Sequence, residues 1–175
     1  HPMSAMIAEI NSIFAEIGFT FAEGPERELI KHNFDDLNVP ADHPSRDMQD
    51  TFYLSDDDAL VMRTHTSPVQ VRHMLTHTPP IRMICPGKVF RNEATDATPE
   101  SMFFQCDGIL VDQHVTMAHL VTTLRAFFEQ LYPGKKIRVR PSFFPFVEPG
   151  IEVDLWWEAP GRSGRWLEVM GAGLT

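Results

Sequence analysis

Apolar residues recur every three to four positions in two long stretches, which is the spacing of one face of an α-helix. The first stretch ends before Gly18, a residue type that often follows a helix. The second begins after Thr116, a good capping residue, and ends at Pro133 and Gly134. The apolar positions are Met6, Ile7, Ile10, Ile13, Phe14 and Ile17, and then Met117, Leu120, Val121, Leu124, Phe127, Phe128 and Leu131. We therefore predict two amphipathic helices.

Two shorter helices are expected between them. Residues 26–36 are compatible with a helix that ends before Pro40. In the other, Ser67 is expected as the N-cap and Pro68 as the first helical residue, because a hydroxyl followed by proline is typical of a helix start. Apolar residues at helical spacing follow, and these are Val69, Val71, Met74 and Leu75.

The remaining apolar runs are short or alternate, which is typical of β-strands. They cover residues 19–22, 51–54, 59–62, 81–84, 88–92, 103–112, 137–140, 152–157 and 165–170. Several are joined by short turns, and short turns connect only antiparallel neighbours. The predicted fold class is α+β, with a mainly antiparallel sheet and helices on one of its faces.

Composition narrows the possible functions. The net charge of −9 argues against nucleic-acid binding as the main role, because phosphate-binding surfaces need clustered Lys and Arg. No apolar run is long enough to cross a membrane, and the two cysteines, Cys85 and Cys106, cannot build a disulfide framework. We expect a reducing, cytoplasmic location. The chain has no initiator Met and ends directly after an apolar strand, so we expect a fragment of a larger protein.

Residues 63–68, Arg-Thr-His-Thr-Ser-Pro, are the densest group of polar chemistry in the chain. They follow a predicted strand, and loops at strand ends are common places for binding groups. A capped helix start without a binding role explains the same pattern about equally well.

The predicted hairpin at residues 88–92 and 103–112 carries a second polar group. Arg91 and Glu93 are two positions apart and so share one face of their strand, as Gln105 and Asp107 do on the partner strand. Arg91 there could hold a phosphate, and the two carboxylates could hold an ammonium. Cross-strand ion pairs on a solvated face are the alternative.

Residues 141–150 hold three phenylalanines and three prolines. Proline excludes a helix and disfavours a central strand, so we expect a stiff, irregular segment. Phe144 and Phe146 could form the wall of a pocket for a flat apolar ligand, or could fill the core. Glu148 lies among apolar residues and would need a cation, a metal or a hydrogen-bond donor if it is buried.

Taken together, these segments resemble the bacterial phenylalanyl-tRNA synthetase alpha-subunit family, over residues 1–175. The resemblance rests on many short matches in one order. They are Gly24-Pro25-Glu26, Asn33-Phe34-Asp35, Leu37-Asn38, His43-Pro44, Arg46-Asp47-Met48, Asp50-Thr51-Phe52, residues 63–68, Pro86-Gly87, Arg91, Gln105, Arg140-Pro141-Ser142, Phe144-Pro145-Phe146, Glu148-Pro149 and Leu167-Glu168-Val169. It implies a class II aminoacyl-tRNA synthetase fold, an antiparallel sheet flanked by helices, in a catalytic core cut before class II motif 3.

The resemblance also implies a function, which is activation of L-phenylalanine by ATP followed by transfer to tRNA(Phe). It implies that the amino group of phenylalanine is held by His65, Ser67, Gln105 and Asp107, and the phenyl ring by Phe144 and Phe146. ATP would be bound by Arg91, Glu93 and Phe103, and Mg²⁺ by Glu148. Implied partners are a synthetase beta subunit, in a heterotetramer, and tRNA(Phe), which would contact mostly parts outside this chain.

The chain departs from the family pattern in places. Pro99 stands where the family usually has a histidine that is thought to touch ATP, and Asp107 stands where it has a glutamate. The arginine of motif 3 lies beyond this sequence, so we expect the isolated polypeptide to be weakly active or inactive.

Two other functions remain open at this point. A paralogue that uses another amino acid, such as O-phosphoserine, would need cations where Phe144 and Phe146 stand. A non-catalytic interface subunit would fit Pro99 and the missing motif 3, but not the intact residues Arg91 and Gln105.

Overall fold

The structure is a computed structural model that describes residues 1–47, 50–54, 59–92, 101–158, 161 and 163–175. The chain divides into two compact units. One unit is formed by His1–Ile13 and Gln113–Thr175, and the other by Phe14–Asp112. Every feature below is described within its own unit.

The elements follow one another in the order α, β, β, α, β, α, β, β, α, β, β, β. They are α1 (Pro2–Glu16), β1 (Thr20–Phe21), β2 (Arg27–Leu29), α2 (Ile30–Asn33), β3 (Leu60–Met62), α3 (Ser67–Thr76), β4 (Ile81–Phe90), β5 (Met102–Val111), α4 (Met117–Leu131), β6 (Ile137–Phe144), β7 (Val147–Trp157) and β8 (Arg165–Gly173). Short 3-10 helices lie at Asp35–Leu37 and Pro44–Arg46. The α+β prediction is confirmed.

Strand pairing in the described residues forms three separate sheets. In the unit of residues 14–112, β1 runs parallel to β4, β4 pairs antiparallel with β5, and β2 pairs antiparallel with β3. In the other unit, β6, β7 and β8 form an antiparallel sheet with β7 in the centre. The pairing is mainly antiparallel, as predicted, with β1 as the parallel exception.

A small apolar core holds α3 against the β4–β5 hairpin. Its buried members are Val69, Ile81, Met83, Cys85 and Ile109. The first of these belongs to α3 and the others to the two strands. The N-terminus of α3 is therefore fixed over the sheet that carries the polar residues of β5.

Several predicted elements are confirmed. Helix α1 ends near Gly18, which has a φ of 86°. Thr116 caps α4, and its hydroxyl accepts a hydrogen bond from the main-chain nitrogen of His119 in a capping box. The hairpin of β4 and β5 forms over ten residues on each side.

Other predictions are wrong. Residues 26–36 are not one helix, because β2 pairs with β3 before the short α2 begins. Ser67 is the first residue of α3 rather than its cap, which is Thr66. Pro141 lies within β6 and Pro149 within β7, so the segment between them is a hairpin and not the stiff, irregular segment that was predicted. Pro141 is tolerated there because β6 is an edge strand.

None of the helices described is long and apolar enough to span a lipid bilayer.

Candidate functional site

The segment between β3 and α3, residues 63–67, lies over one face of the β4–β5 hairpin. Successive residues of a strand point to opposite faces, so Gln105 and Asp107 share a face with their partners Gly87 and Cys85 on β4. The Cys85 thiol donates a hydrogen bond to the Thr66 carbonyl at 3.5 Å, which places residues 63–67 on that face. The two polar groups predicted separately from the sequence are thus brought together.

Arg63 anchors this segment to the fold. It is only 4% exposed, and its guanidinium donates hydrogen bonds to three main-chain carbonyls: Lys88 at 2.7 Å, Gly24 at 3.1 Å and Pro25 at 3.4 Å. The guanidinium occupies the space above Gly87, where an added Cβ would lie 2.1 Å from Nη2. The guanidinium of Arg63 is therefore occupied by main-chain hydrogen bonds. Glycine is required at position 87 because any Cβ there would collide with this guanidinium.

Asp107 is the centre of the polar cluster. Its carboxylate accepts a hydrogen bond from the Ser67 hydroxyl at 2.6 Å and another from the Gln105 side-chain amide at 3.0 Å. Its main-chain nitrogen donates to the Thr66 hydroxyl at 3.1 Å. The side chains of Ser67, Gln105 and Asp107, which were predicted as binding residues, therefore form one connected network.

Two polar atoms of this region are buried without a protein partner. Among the described residues, Gln105 Oε1 and His65 Nδ1 make no hydrogen bond. Buried polar atoms are nearly always paired in folded proteins, and a group left unpaired calls for an explanation such as a ligand. Gln105 Oε1 and Asp107 are both acceptors, so together they suit a cationic donor such as an ammonium group.

The surroundings of His65 favour its neutral form. Burial lowers its pKa below the ordinary value, and the charge of Arg91 adds to this effect, while Asp107 and a hydrogen bond to the main chain of Asn33 oppose it. A neutral imidazole can present Nδ1 as an acceptor, so His65 offers a further acceptor in the segment that lies over this face of the hairpin.

We expect this histidine to make stability depend on pH. The pKa of His65 is lower in the folded chain than its ordinary value near 6.5, so the unfolded chain takes up more protons as pH falls below about 7, and the free energy of unfolding falls with it. The limiting slope for one proton is about 1.4 kcal/mol per pH unit. Urea unfolding at a series of pH values should show a shallower slope for His65→Gln. An unchanged slope in that variant would mean that the pKa of His65 is the same in the folded and unfolded chain.

Arg91 and Phe103 lie side by side at the end of the hairpin. The guanidinium carbon of Arg91 is 4.9 Å from the centre of the Phe103 ring, and its Nε donates to the Thr64 carbonyl at 3.3 Å. Arg91 directly follows β4 rather than lying within it, which differs from our expectation. Glu93, the third predicted ATP-binding residue, and Pro99 lie outside the described residues.

A buried ion pair that the sequence analysis missed holds α3 in place. Glu28 on β2 is fully buried, and its carboxylate accepts hydrogen bonds from Arg72 Nε at 2.8 Å and Nη2 at 2.6 Å. Arg72 lies on α3, the helix that begins with Ser67. No local sequence pattern predicts this ion pair, because its two residues are 44 positions apart in the chain.

In the other unit, Phe144 and Phe146 lie at the β6–β7 turn, with ring centres 6.2 Å apart. The Phe144 ring occupies the space above two glycines: an added Cβ would lie 2.6 Å from it at Gly171 and 3.3 Å at Gly150. Phe146 is 44% exposed. These rings do not fill a core, and the two glycines determine where the Phe144 ring lies.

Another network missed from the sequence occupies the same sheet. Asp154 accepts hydrogen bonds from Arg140 Nε at 2.6 Å and Arg138 Nε at 2.9 Å, and these contacts hold its pKa down to about 2. Glu152 accepts from Arg140 and, at 2.6 Å, from the Ser142 hydroxyl. Because the charges neutralise one another, we assign the network a structural role.

Glu148 is exposed, so the condition under which the sequence argument required a partner for it is not met. Within the described ranges, no group of three or more His, Cys, Asp and Glu side chains converges as a metal site would. A single carboxylate does not make a metal site, although Mg²⁺ often combines one or two carboxylates with substrate phosphates. The residues that the structure describes therefore do not by themselves form a magnesium site.

Comparison with known proteins places these features in a family. Residues 1–175 match the family model described as tRNA synthetases class II core domain (F). The chain is 51% identical to the phenylalanine–tRNA ligase alpha subunit of Stenotrophomonas maltophilia and 50% identical to that of Persephonella marina. Each match covers 100% of this chain and 52% of the relative, so the chain spans about half the length of these curated relatives.

A solved structure shows the same fold. A pyrrolysyl tRNA synthetase from Desulfitobacterium hafniense superposes with a TM-score of 0.64, covering 87% of this chain and 54% of the other. The sequence identity is 15%, so this likeness concerns the fold alone.

Proposed function

Because the chain belongs to the family of class II tRNA synthetase core domains, we propose that the protein containing it is a phenylalanine–tRNA ligase. It activates L-phenylalanine with ATP and transfers the phenylalanyl group to tRNA(Phe). Residues 1–175 act as the catalytic core of this enzyme. The identity of about 50% to phenylalanine–tRNA ligase alpha subunits supports this assignment.

The observation that carries the proposal is the acceptor cluster around Asp107. The Asp107 carboxylate, the buried Gln105 Oε1 and the buried His65 Nδ1 offer acceptors to an ammonium group. The Ser67 hydroxyl already donates its hydrogen bond to Asp107 and so fixes the orientation of that carboxylate. A cluster of this kind suits the α-amino group of a free amino acid, which is cationic at neutral pH.

The first reaction needs no general base. The carboxylate of phenylalanine is ionised at pH 7 and attacks the α-phosphorus of ATP, while the bond to the β-phosphate breaks and pyrophosphate leaves with that bonding pair. The protein contributes positioning and neutralisation of charge on the phosphate oxygens. We assign that role to Arg91, with Phe103 and Glu93 holding the adenine side.

Phe144 and Phe146 are proposed to grip the phenyl ring of the substrate. A phosphorylated amino acid such as O-phosphoserine would need cations at these positions, so the aromatic pair favours phenylalanine. An apolar pocket rejects tyrosine only by lack of room for the hydroxyl, which gives discrimination of about a hundredfold.

The partners follow from the proposed reaction. Mg²⁺ accompanies ATP and neutralises phosphate charge, and Glu148 together with a beta subunit would have to complete its site. The beta subunit, the heterotetramer and the tRNA complex are proposed from the likeness to proteins named as alpha subunits. We place the protein in the cytoplasm, which agrees with the two unpaired thiols of Cys85 and Cys106.

Amino-acid-dependent exchange between ATP and labelled pyrophosphate tests the proposal on the complete protein. We expect exchange with L-phenylalanine, exchange weaker by about a hundredfold with tyrosine, and background with O-phosphoserine. Exchange with O-phosphoserine would identify a paralogue with another substrate. Background exchange with every amino acid would support a non-catalytic interface subunit and refute the proposed activity.

A further inference from the structure

A concave surface of about 400 Å³ lies in the unit of residues 1–13 and 113–175, where α4, β6 and β8 approach one another. Three cations line it: Arg125 on α4, and Lys135 and Lys136 before β6. Glu129 and the indole ring of Trp166 also line this surface. We call this surface, with these five residues, the basic pocket. Neither the proposed ammonium site nor the proposed ATP site uses any of its residues.

The cations of the basic pocket are not neutralised by an ion pair in the described part of the chain. Arg125, Lys135 and Lys136 form no ion pair with any carboxylate described. Two arginines that follow on β6, Arg138 and Arg140, are instead paired with buried or half-buried carboxylates. Among the described residues that line the basic pocket, Glu129 is the one carboxylate against three cations.

Aromatic rings accompany these cations. The Lys135 ammonium lies 5.3 Å from the centre of the Trp157 ring, which is 40% exposed. The guanidinium carbon of Arg138 lies 4.5 Å from the centre of the Trp166 ring. A ring attracts a cation without neutralising it, so the lysine remains available to an anion.

Lysines and an arginine without a described ion pair, beside the half-buried Trp166 and the exposed Trp157, form a combination that suits nucleic-acid strands, through phosphates and through stacked bases. The chain carries a net charge of −9, so most of its surface repels a polyanion and contact must concentrate where the charge is locally reversed. We infer that the basic pocket binds the sugar-phosphate backbone of an RNA strand, which under the proposed function is the tRNA substrate. This inference rests on the proposed function for the identity of the RNA.

The test uses the complete protein and the double variant Lys135→Ala/Lys136→Ala. The matched control is Lys31→Ala/Arg82→Ala, which removes two exposed cations that are paired with Asp36 and Asp112. Filter binding of a tRNA(Phe) transcript is measured at several salt concentrations, and phenylalanine-dependent pyrophosphate exchange is measured in parallel. Exchange reports the first reaction, which does not need tRNA.

We expect the lysine variant to bind the transcript about tenfold more weakly at moderate salt. Its affinity should also depend less on salt, with the logarithmic slope reduced by about 1.4 to 1.8 for two lost phosphate contacts. Exchange should stay at the level of the unaltered protein, and the control variant should bind normally. If exchange is absent from the unaltered protein while the lysines still govern transcript binding, the proposed function fails and the RNA site stands.

Three results would overturn the inference. One is transcript binding that is unchanged in the lysine variant, and another is an equal loss in the control variant. The third is competition by poly-glutamate as effective as competition by unlabelled RNA, which would identify the basic pocket as a site for an acidic protein segment. A loss of exchange together with binding would show that the variant disturbs the fold, and would also count against a direct contact.

Discussion

Replacing Arg72 with methionine is expected to lower the free energy of unfolding by about 3 kcal/mol. Glu28 is fully buried and Arg72 is its cationic partner, so the substitution leaves a carboxylate in the interior without its counter-charge. Breaking a buried pair from one side costs about 3–5 kcal/mol. We place the effect at the lower end because the Arg72 side chain is 39% exposed and water can reach part of the site.

Urea unfolding of the protein measures this effect, and two further variants serve as its controls. Glu28→Gln combined with Arg72→Met removes both charges and should recover most of the lost stability, since a neutral amide is far less costly to bury. Arg82→Met breaks the exposed pair with Asp112 and should cost less than about 1 kcal/mol. A loss in Arg72→Met no larger than that in Arg82→Met would show that the Glu28 carboxylate is not isolated from water.

Replacing Asp107 with asparagine is expected to raise the KM for phenylalanine about a hundredfold in pyrophosphate exchange. The variant keeps the shape of the side chain but removes the negative charge that faces the proposed ammonium. A hydrogen bond to a charged group contributes about 1.5–3 kcal/mol, and a hundredfold change corresponds to about 2.7 kcal/mol. The KM for ATP should change little, because the proposed nucleotide contacts come from other residues.

The controls for this prediction are chosen by charge. Asp107→Glu retains the carboxylate and should keep most of the activity, and Asp112→Asn removes an exposed carboxylate on the same hairpin and should behave normally. Parallel increases in the KM for phenylalanine and for ATP in Asp107→Asn would point to general disruption of the site, and not to the loss of an ammonium partner.

Local sequence patterns predicted the elements that depend on local chemistry. The alternation of polar and apolar residues along β5 put Gln105 and Asp107 on one face, and the structure joins their side chains. Thr116 was recognised as the cap of α4 because its hydroxyl acts on the residues directly after it. In both cases the deciding contact is made within one element or one hairpin.

Contacts between distant segments could not be predicted in this way. The apolar residues Leu29, Ile30 and Phe34 fit a helical pattern, but pairing of β2 with β3 decides the conformation of residues 27–29. Arg63 belonged to the polar group at residues 63–68, and only the structure shows that its guanidinium donates to three main-chain carbonyls. The position of the Phe144 ring against Gly171 likewise depends on the pairing of β8 with β7.

The sequence alone could propose roles for the polar residues, but it could not show which of their atoms are left without a partner. Gln105 Oε1 and His65 Nδ1 are unpaired in the described structure although both are buried. Gln105 donates to Asp107 and His65 belongs to the segment over the same face, so these two unpaired atoms add acceptors to the negative charge of Asp107. The specific claim that a cationic amino group binds there depends on this arrangement.

Calorimetric titration of the complete protein with L-phenylalanine and with 3-phenylpropionate tests that claim most directly. The two ligands share the ring and the carboxylate, and they differ in the α-amino group. We predict that phenylalanine binds at least tenfold more tightly, and that Asp107→Asn removes most of this difference by weakening phenylalanine alone. Equal affinity of the unaltered protein for both ligands would contradict an ammonium site at Asp107.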